Sequence, residues 1–306
     1  MNGTISIRER GLELSDLVVF KTVAETGSVT GAGERLYRVQ SNVTARLKRL
    51  ESHLGVSLFV RGRRGMSLTP EGRRLLDYAD RLLALAEEAR ADLGASEPSG
   101  RLLIGSMEST AAVHLPRLLS KLHAKYPGLE VQLVTATSGA LLAQLRAGEI
   151  SAAFVSGDIE EPGLVADRAY VEELVLVSHP SMRRGPGVDD LHGKTLVTFG
   201  AGCAYRACIE GWLASKGVRP PRTFEVGSYH AMLACVAADV GYAVAPRSVL
   251  LASSARSSVR AHRLDRRPWR VTTWLVRRAG DRSRAVDALR QLVVDRPNAS
   301  TRGGER

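Results

Sequence analysis

The sequence predicts an α/β protein in three parts: an all-α N-terminal domain finished by a hairpin wing, a long linker helix, and a larger C-terminal domain. Three observations predict it. Apolar residues between Leu14 and Leu54 recur at helical spacing in three short blocks. Residues 75 to 93 carry a four-three repeat of leucine and alanine. Beyond residue 100, strand-like runs alternate with helical ones. A length of 306 residues suits two or three domains, and 44% hydrophobic with 25% charged residues describes ordinary globular protein able to bury real cores.

Residues 1–13 are polar and charged and read as a frayed terminus. "LSDLVVFKTVA", from Leu14, reads as a first helix packed on several sides. Gly27 ends it, Ser28 is a good N-cap for a short second helix, "VTGAGERL", and Tyr37-Arg38-Val39 turns into a third. In that third helix Val43, Leu47, Leu50 and Leu54 follow at steps of four, three and four and should face a core. Its other face carries Gln40, Ser41, Asn42, Thr44, Arg46, Lys48 and Arg49. Short amides and hydroxyls can reach base edges when a helix N-terminus enters a major groove, and cations behind them can meet phosphates. Alone, such a helix is more often a solvated basic surface, so its neighbours must decide. Three short helices in about forty residues, the last one basic, make a helix-turn-helix. Next, Val56, Leu58 and Val60 alternate, Gly62 to Gly65 turns, and Met66 and Leu68 alternate again: a hairpin with Arg61, Arg63 and Arg64 at its tip, where a wing can lie on the phosphate backbone or reach a minor groove. Residues 14–70 therefore read as a winged helix-turn-helix.

Thr69 caps and Pro70 opens a linker helix over residues 70–94. Its stripe of Leu75, Ala79, Leu82, Ala86, Ala89 and Leu93 reads as a dimerisation face, because no nearby segment offers it a core. Residues 95–100 form a polar, Pro/Gly-containing hinge. Over 101–295, seven strand-like runs ("RLLIG", "EVQLVTA", "SAAFVSG", "ELVLVSH", "TLVTFG", "GYAVAP", "VTTWLVRR") alternate with helical runs around Leu115–Lys125, Ala140–Ala147, Tyr205–Lys216, Tyr229–Ala237 and Arg284–Val294. This predicts an α/β domain with a mostly parallel sheet. Residues 296–306 are a polar tail.

A net charge of +11 favours an anionic partner without choosing between nucleic acid and membrane. The distribution helps: residues 35 to 74 hold ten cations against Glu51 and Glu71, a net +8 around the third helix and wing. A second basic stretch, Arg256 to Arg284, lacks short polar readers and reads as solvated surface. There is no signal-peptide pattern and no apolar run near the roughly 18 residues that span a bilayer, so a cytoplasmic protein with no membrane partner is expected. Cys203, Cys208 and Cys235 suit neither a disulfide framework nor a zinc site and are expected reduced, with no metal. No H-E-x-x-H, G-x-S-x-G or G-x-x-x-x-G-K-[ST] occurs, and the GAG at 31–33 lies in a helical pattern rather than after a strand; no catalytic residue or cofactor is assigned. A pure solute-binding protein remains a rival for the C-terminal half alone.

"GSVTGAGERLYRVQSNVTARLKRLESHLGVSLFVRGRRGMSLTPEGRRLL", with its Leu50-Glu51 pair, "LGVSLFVR" and "LTPEG" in order and spacing, resembles the LysR-type transcriptional regulators, and the resemblance runs from about Leu14 to Val294. It implies a winged helix-turn-helix, a linker helix pairing two subunits, and a two-subdomain effector domain like periplasmic solute-binding proteins. Subdomain I would take residues 101–160 and 272–295 and subdomain II residues 165–268, with crossings near 157–169 and 262–271. It further implies homodimers or homotetramers on promoter DNA, a small-molecule effector, and RNA polymerase as a compatible partner. Two departures stand out. Gly31 and Gly33 replace usual alanines, at roughly 0.5–1 kcal/mol each, which predicts a looser second helix. Val39 stands where a serine usually caps the third helix; Ser41 would cap instead and start it later.

The resemblance places the effector between the subdomains, near Ser106, Glu108, Ser109, Thr110, Thr137, Ser138, Gly202, Cys203 and Tyr229. Helix N-termini and strand ends suit ligands there; the same serines and threonines are also plain N-caps. Glu108 would suit an amine or other cationic ligand, or point to water. Cys203 is either an oxidation-sensitive thiol or a plain pocket thiol. The expected function is a sequence-specific, ligand-responsive DNA-binding regulator. Asn42, Thr44 and Arg46 would make base-edge or groove contacts; Gln40, Ser41, Lys48, Arg49 and the wing arginines would hold the backbone.

Overall fold

The computed structural model describes residues 12–62, 65–94, 97–157, 159–182, 188–264 and 269–295. Most of the expected frayed terminus, the polar tail and two of the three wing arginines, Arg63 and Arg64, lie outside the described residues. The chain divides into two compact units at Leu93/Gly94.

In the first unit, α1 (Leu14–Thr26) ends at Gly27, which adopts φ 63°. Helix α2 (Val29–Arg35) is capped by Ser28, whose Oγ accepts the Gly31 N–H at 3.2 Å. Helix α3 (Gln40–Leu54) ends at Gly55, again left-handed, with φ 70°. The wing pairs β1 (Phe59–Gly62) with β2 (Gly65–Leu68) in antiparallel register, Phe59 opposite Leu68. Helix α4 (Pro70–Gly94) follows, and Thr69 Oγ1 accepts the Gly72 N–H at 2.9 Å, as a cap should. Val43, Leu47 and Leu50 are buried with Leu17, Phe20, Val23, Ala32 and Leu58, so the predicted seam of α3 is the core face.

In this unit two expectations need correction, and the glycine at position 33 gains a physical reason. Helix α3 starts at Gln40 with Val39 at the N-cap position and no side-chain cap; Ser41 does not delay it, because the preceding turn already fixes the entry. That turn also explains Gly33. The Arg38 N–H donates to Gly33 O at 2.8 Å, and a methyl group added at Gly33 would come within 2.7 Å of the Arg38 carbonyl oxygen. Gly33 therefore permits a close backbone approach. Finally, the linker stripe is divided. Ala79 is fully buried in the core of its own unit and Leu75 packs against it, while Leu82 is 40% exposed. The first turns of α4 do find a local core. Gly72 makes this possible: an added methyl would lie 2.2 Å from Leu58 O.

The second unit is built on a seven-stranded sheet in the order β10-β6-β11-β5-β3-β4, with β9 also on β6. Its strands are β3 (Gly100–Ser106), β4 (Leu129–Thr135), β5 (Ala152–Ser156), β6 (Leu164–Ser178), β9 (Ala243–Pro246), β10 (Arg260–His262) and β11 (Trp269–Arg278). β7 (Leu196–Thr198) and β8 (Thr223–Glu225) pair in parallel beside it. The helices are α5 (Glu108–Val113), α6 (Leu115–Lys125), α7 (Ser138–Ala147), α8 (Ala204–Ser215), α9 (Tyr229–Ala237), α10 (Arg247–Ala252) and α11 (Arg284–Val294). The large sheet is mixed, not mostly parallel. β3 is parallel to β4 and β5, whereas β11 is antiparallel to β5 and β6, and β6 to β9 and β10. The cause is the double crossing: β6 leaves one subdomain and β11 returns, so the two run in opposite directions and pair antiparallel.

Residues 164–170 pair with 273–278 over the core of Ile104, Leu118, Phe154 and Leu289, and residues 174–178 pair with β9 and β10 over the core of Val197, Ile209, Met232 and Tyr242. The two halves of β6 meet near residue 172. A buried polar knot sits there. Glu172, 3% exposed, holds His114 Nε2 at the α5–α6 junction with one oxygen and accepts from Ser248 Oγ of α10 with the other, at 2.7 Å. One carboxyl group therefore ties both subdomains to the crossing strand. Among the described residues no helix is long and apolar enough to cross a membrane.

Candidate nucleic-acid interface and effector cleft

The first candidate site is the outer face of α3. Gln40, Ser41, Asn42, Lys48 and Arg49 are exposed, and Thr44 and Arg46 are half-buried. Thr44 Oγ1 donates back to Gln40 O at 3.0 Å, and Asn42 Oδ1 lies 3.5 Å from Arg38 Nη1. The face is real, but its two arginines are engaged. Asp16 of α1, 2% exposed, accepts from Arg46 Nη1 at 2.7 Å, from Arg49 Nη2 at 2.7 Å and from Arg49 Nε at 3.1 Å. Ser15 Oγ accepts from Arg46 and Glu13 from Arg49 as well. The arginines clamp α3 onto α1, a role that sequence patterning misses because the partner lies thirty positions upstream. Glu51 has a second positioning role: its Oε1 accepts the Leu58 N–H at 2.7 Å and ties the end of α3 to the wing. Arg61 lies on β1, the rising strand of that wing.

The second candidate is a cleft of about 250 Å³ between the subdomains of the second unit. Of the predicted residues, Glu108, Ser109, Thr137, Ser138, Cys203 and Tyr229 line it. Ser106, Thr110 and Gly202 do not: Ser106 is buried with Oγ donating to Met107 O, and Thr110 is buried. Gly202 closes the cleft edge, its carbonyl accepting the Gly139 N–H at 3.2 Å across the two subdomains. Thr137 caps α7, and Ser138 Oγ accepts the Ser156 N–H at 3.2 Å, so both have structural work there. Met107, Phe199 and Tyr205, which lie in the segments "GSMEST" and "FGAGCAYR" that the resemblance puts at the effector but were not singled out as site residues, and Val226, which was missed, give the cleft its apolar and aromatic walls. Val226 had only its place after a strand as a signal. Phe199 meets Tyr229 edge-on, with centroids 4.9 Å apart.

The polar groups of the cleft are few and under-used. The Tyr205 hydroxyl neighbours Ser109 and Thr273, yet none of the three oxygens has a partner in hydrogen-bonding geometry. Burial pushes the Tyr205 phenol up to about 12. Burial also raises the Glu108 carboxyl above its ordinary range, opposed by the Tyr229 N–H, which Glu108 Oε1 accepts at 3.4 Å. Glu108 Oε2 is buried without a partner, and among the described residues no lysine, arginine or histidine lines the cleft. The Cys203 thiol at the α8 N-cap is likewise raised by burial, which keeps it protonated.

A winged helix-turn-helix joined to a two-subdomain, ligand-cleft module defines a class of DNA-binding regulators that carry their own sensor. Family models identify the class. Residues 14–73 match the bacterial regulatory helix-turn-helix protein, lysR family, and residues 95–298 match the LysR substrate binding domain. The chain belongs to the LysR family of transcriptional regulators. Its relatives include the HTH-type transcriptional regulator GltR of Bacillus subtilis, 38% identical over 86% of this chain and 89% of that one. Another is the HTH-type transcriptional regulator CzcR of the same organism, 33% identical over 94% of this chain and 99% of that one. Full-length CbnR, crystallised with its target DNA, is similar in structure, with a TM-score of 0.68 at 25% identity over 92% of this chain and 99% of that one.

Proposed function

We propose that this regulator acts in the cytoplasm and that its effector is a small amine-bearing metabolite whose ammonium group sits on Glu108. The observation that carries the reading is the buried, unpartnered Glu108 Oε2 in a cleft where no described lining residue is cationic. A carboxylate ligand would meet a like charge and find no counter-ion. An ammonium would restore the charge that burial disfavours and would face the rings of Phe199, Tyr205 and Tyr229, which attract cations. The volume, below the roughly 300–1,000 Å³ of drug-sized sites, suits a small metabolite. Ser109 and Tyr205 supply spare hydrogen-bonding groups for the rest of the ligand.

At the other end of the chain, Gln40, Ser41, Asn42 and Thr44 read or hold the duplex, and Lys48, Arg61, Arg63 and Arg64 supply phosphate contacts. Arg46 and Arg49 act mainly by holding α3 against α1, which their pairing with Asp16 supports. No catalytic step enters this function. Ligand binding shifts DNA affinity only as far as the ligand prefers one arrangement of the subdomains, which the Glu172 knot joins. The test is a panel of primary amines, matched carboxylates and matched neutral compounds, scored by thermal shift and by DNA binding. An amine should raise the midpoint of the wild type, with affinity at least tenfold weaker in Glu108→Gln. A carboxylate that binds where amines do not would overturn the assignment.

A further inference from the structure

We propose that Val39 reads the 5-methyl group of a thymine in the target duplex. The inference rests on α3 being the groove-reading helix. Val39 occupies the N-cap position of α3, where serine, threonine, asparagine or aspartate would accept a first-turn N–H, and its side chain makes no cap hydrogen bond. Nor does it join the core: it is 71% exposed. Within the protein, then, the two methyl groups neither cap nor pack.

The turn that presents Val39 is fixed before any DNA arrives. Tyr37 holds a left-handed conformation, φ 53°, uncommon for a bulky residue. The Arg38 N–H is bound to Gly33 O at 2.8 Å, and Gly33 leaves no room there for a side chain. Valine itself is stiff at χ1. A rigid, projecting, short apolar group thus stands directly beside three exposed polar residues, Gln40, Ser41 and Asn42. Valine can neither donate nor accept a hydrogen bond. Of the groups that distinguish base pairs on major-groove edges, the thymine methyl is the apolar one. The chemistry of the side chain therefore selects its target.

The test uses the full chain and the duplex it enriches from a random library at physiological salt. Each thymine of that duplex is replaced in turn by deoxyuridine, at symmetric positions in both half-sites, which removes the methyl and keeps the O4 acceptor. Anisotropy titrations should show one replacement that weakens wild-type binding about five- to tenfold. Val39→Ser, which supplies a cap and so keeps the helix folded, and Val39→Ala should both reduce that penalty to under twofold. Val39→Thr, which keeps one methyl, should fall between. A wild type indifferent to every replacement overturns the proposal, as does a penalty that persists undiminished in Val39→Ser and Val39→Ala. Failure of the underlying reading looks different: no sequence would be enriched at all, and the inference would fall with it.

Discussion

Replacing Asp16 by asparagine tests whether Arg46 and Arg49 position the reading helix. The carboxylate is 2% exposed and accepts from two guanidinium groups at 2.7 Å. Asparagine keeps the shape, removes the charge, and turns one acceptor oxygen into a donor that faces an arginine. Hydrogen bonds to charged groups are worth about 1.5–3 kcal/mol, and the half-exposed arginines recover part of their loss from water, so we expect about 2–3 kcal/mol against local opening. At about 1.4 kcal/mol per decade, that is roughly a 30- to 150-fold faster exchange of the most protected amides in α1 and α3. Hydrogen exchange read by mass spectrometry on the full chain resolves these peptides. Tryptophan fluorescence does not, because Trp212, Trp269 and Trp274 all lie in the second unit. Unchanged protection, together with tighter binding to every duplex, would refute the reasoning. The arginines would then be DNA contacts resting on Asp16.

Four further outcomes are expected. Gly33→Ala should destabilise the first unit by about 1–2 kcal/mol despite alanine's better helix propensity, because the added methyl meets the Arg38 carbonyl oxygen at 2.7 Å; amide exchange in α2 and α3 measures it. Glu108 has a raised carboxyl, so its favourable share of stability is full below the ordinary value of 4.5 and is lost as pH rises through the folded value. Glu108→Gln should accordingly raise the melting temperature of the ligand-free protein at pH 8 and leave it unchanged at pH 4. Cys203, protonated by burial, should react with iodoacetamide at neutral pH more slowly than a free thiol; fast, complete alkylation in the folded protein would revive a redox role. Arg63→Ala with Arg64→Ala should weaken binding to all duplexes alike and lower the slope of log affinity against log salt by about 1 for each phosphate that is no longer neutralised.

Much of the architecture was legible in the sequence because it rests on local periodicity. The spans of α6, α9 and α11 follow directly from apolar spacing, and the Ser28 and Thr69 caps from residue type. What escaped was non-local. Asp16 sits in an apolar helix and gives no sign that it will bind two arginines thirty residues on. The first half of β6, "LVADRAYVEE", lacks a period-two pattern of polar and apolar residues, so only its end, "ELVLVSH", reads as a strand, although the whole forms the long strand that turns the sheet mixed. Tyr229 was legible as a cleft residue, but that Phe199 and Tyr205 join it as an aromatic wall was not, because the three come from separate segments that only the double crossing brings together. Glu108 was legible as an unusual carboxylate, but that no cation lines its cleft among the described residues required the fold.

The central claim is that the exposed face at the start of α3 chooses the sequence this regulator binds. Selection from a random duplex library at physiological salt, run in parallel with wild type and Asn42→Ala, tests it most directly. The account predicts an enriched inverted repeat for the wild type, and for the variant a loss of about 1–3 kcal/mol of preference confined to one base position per half-site. An identical preference from both proteins, or none from the wild type, would contradict it.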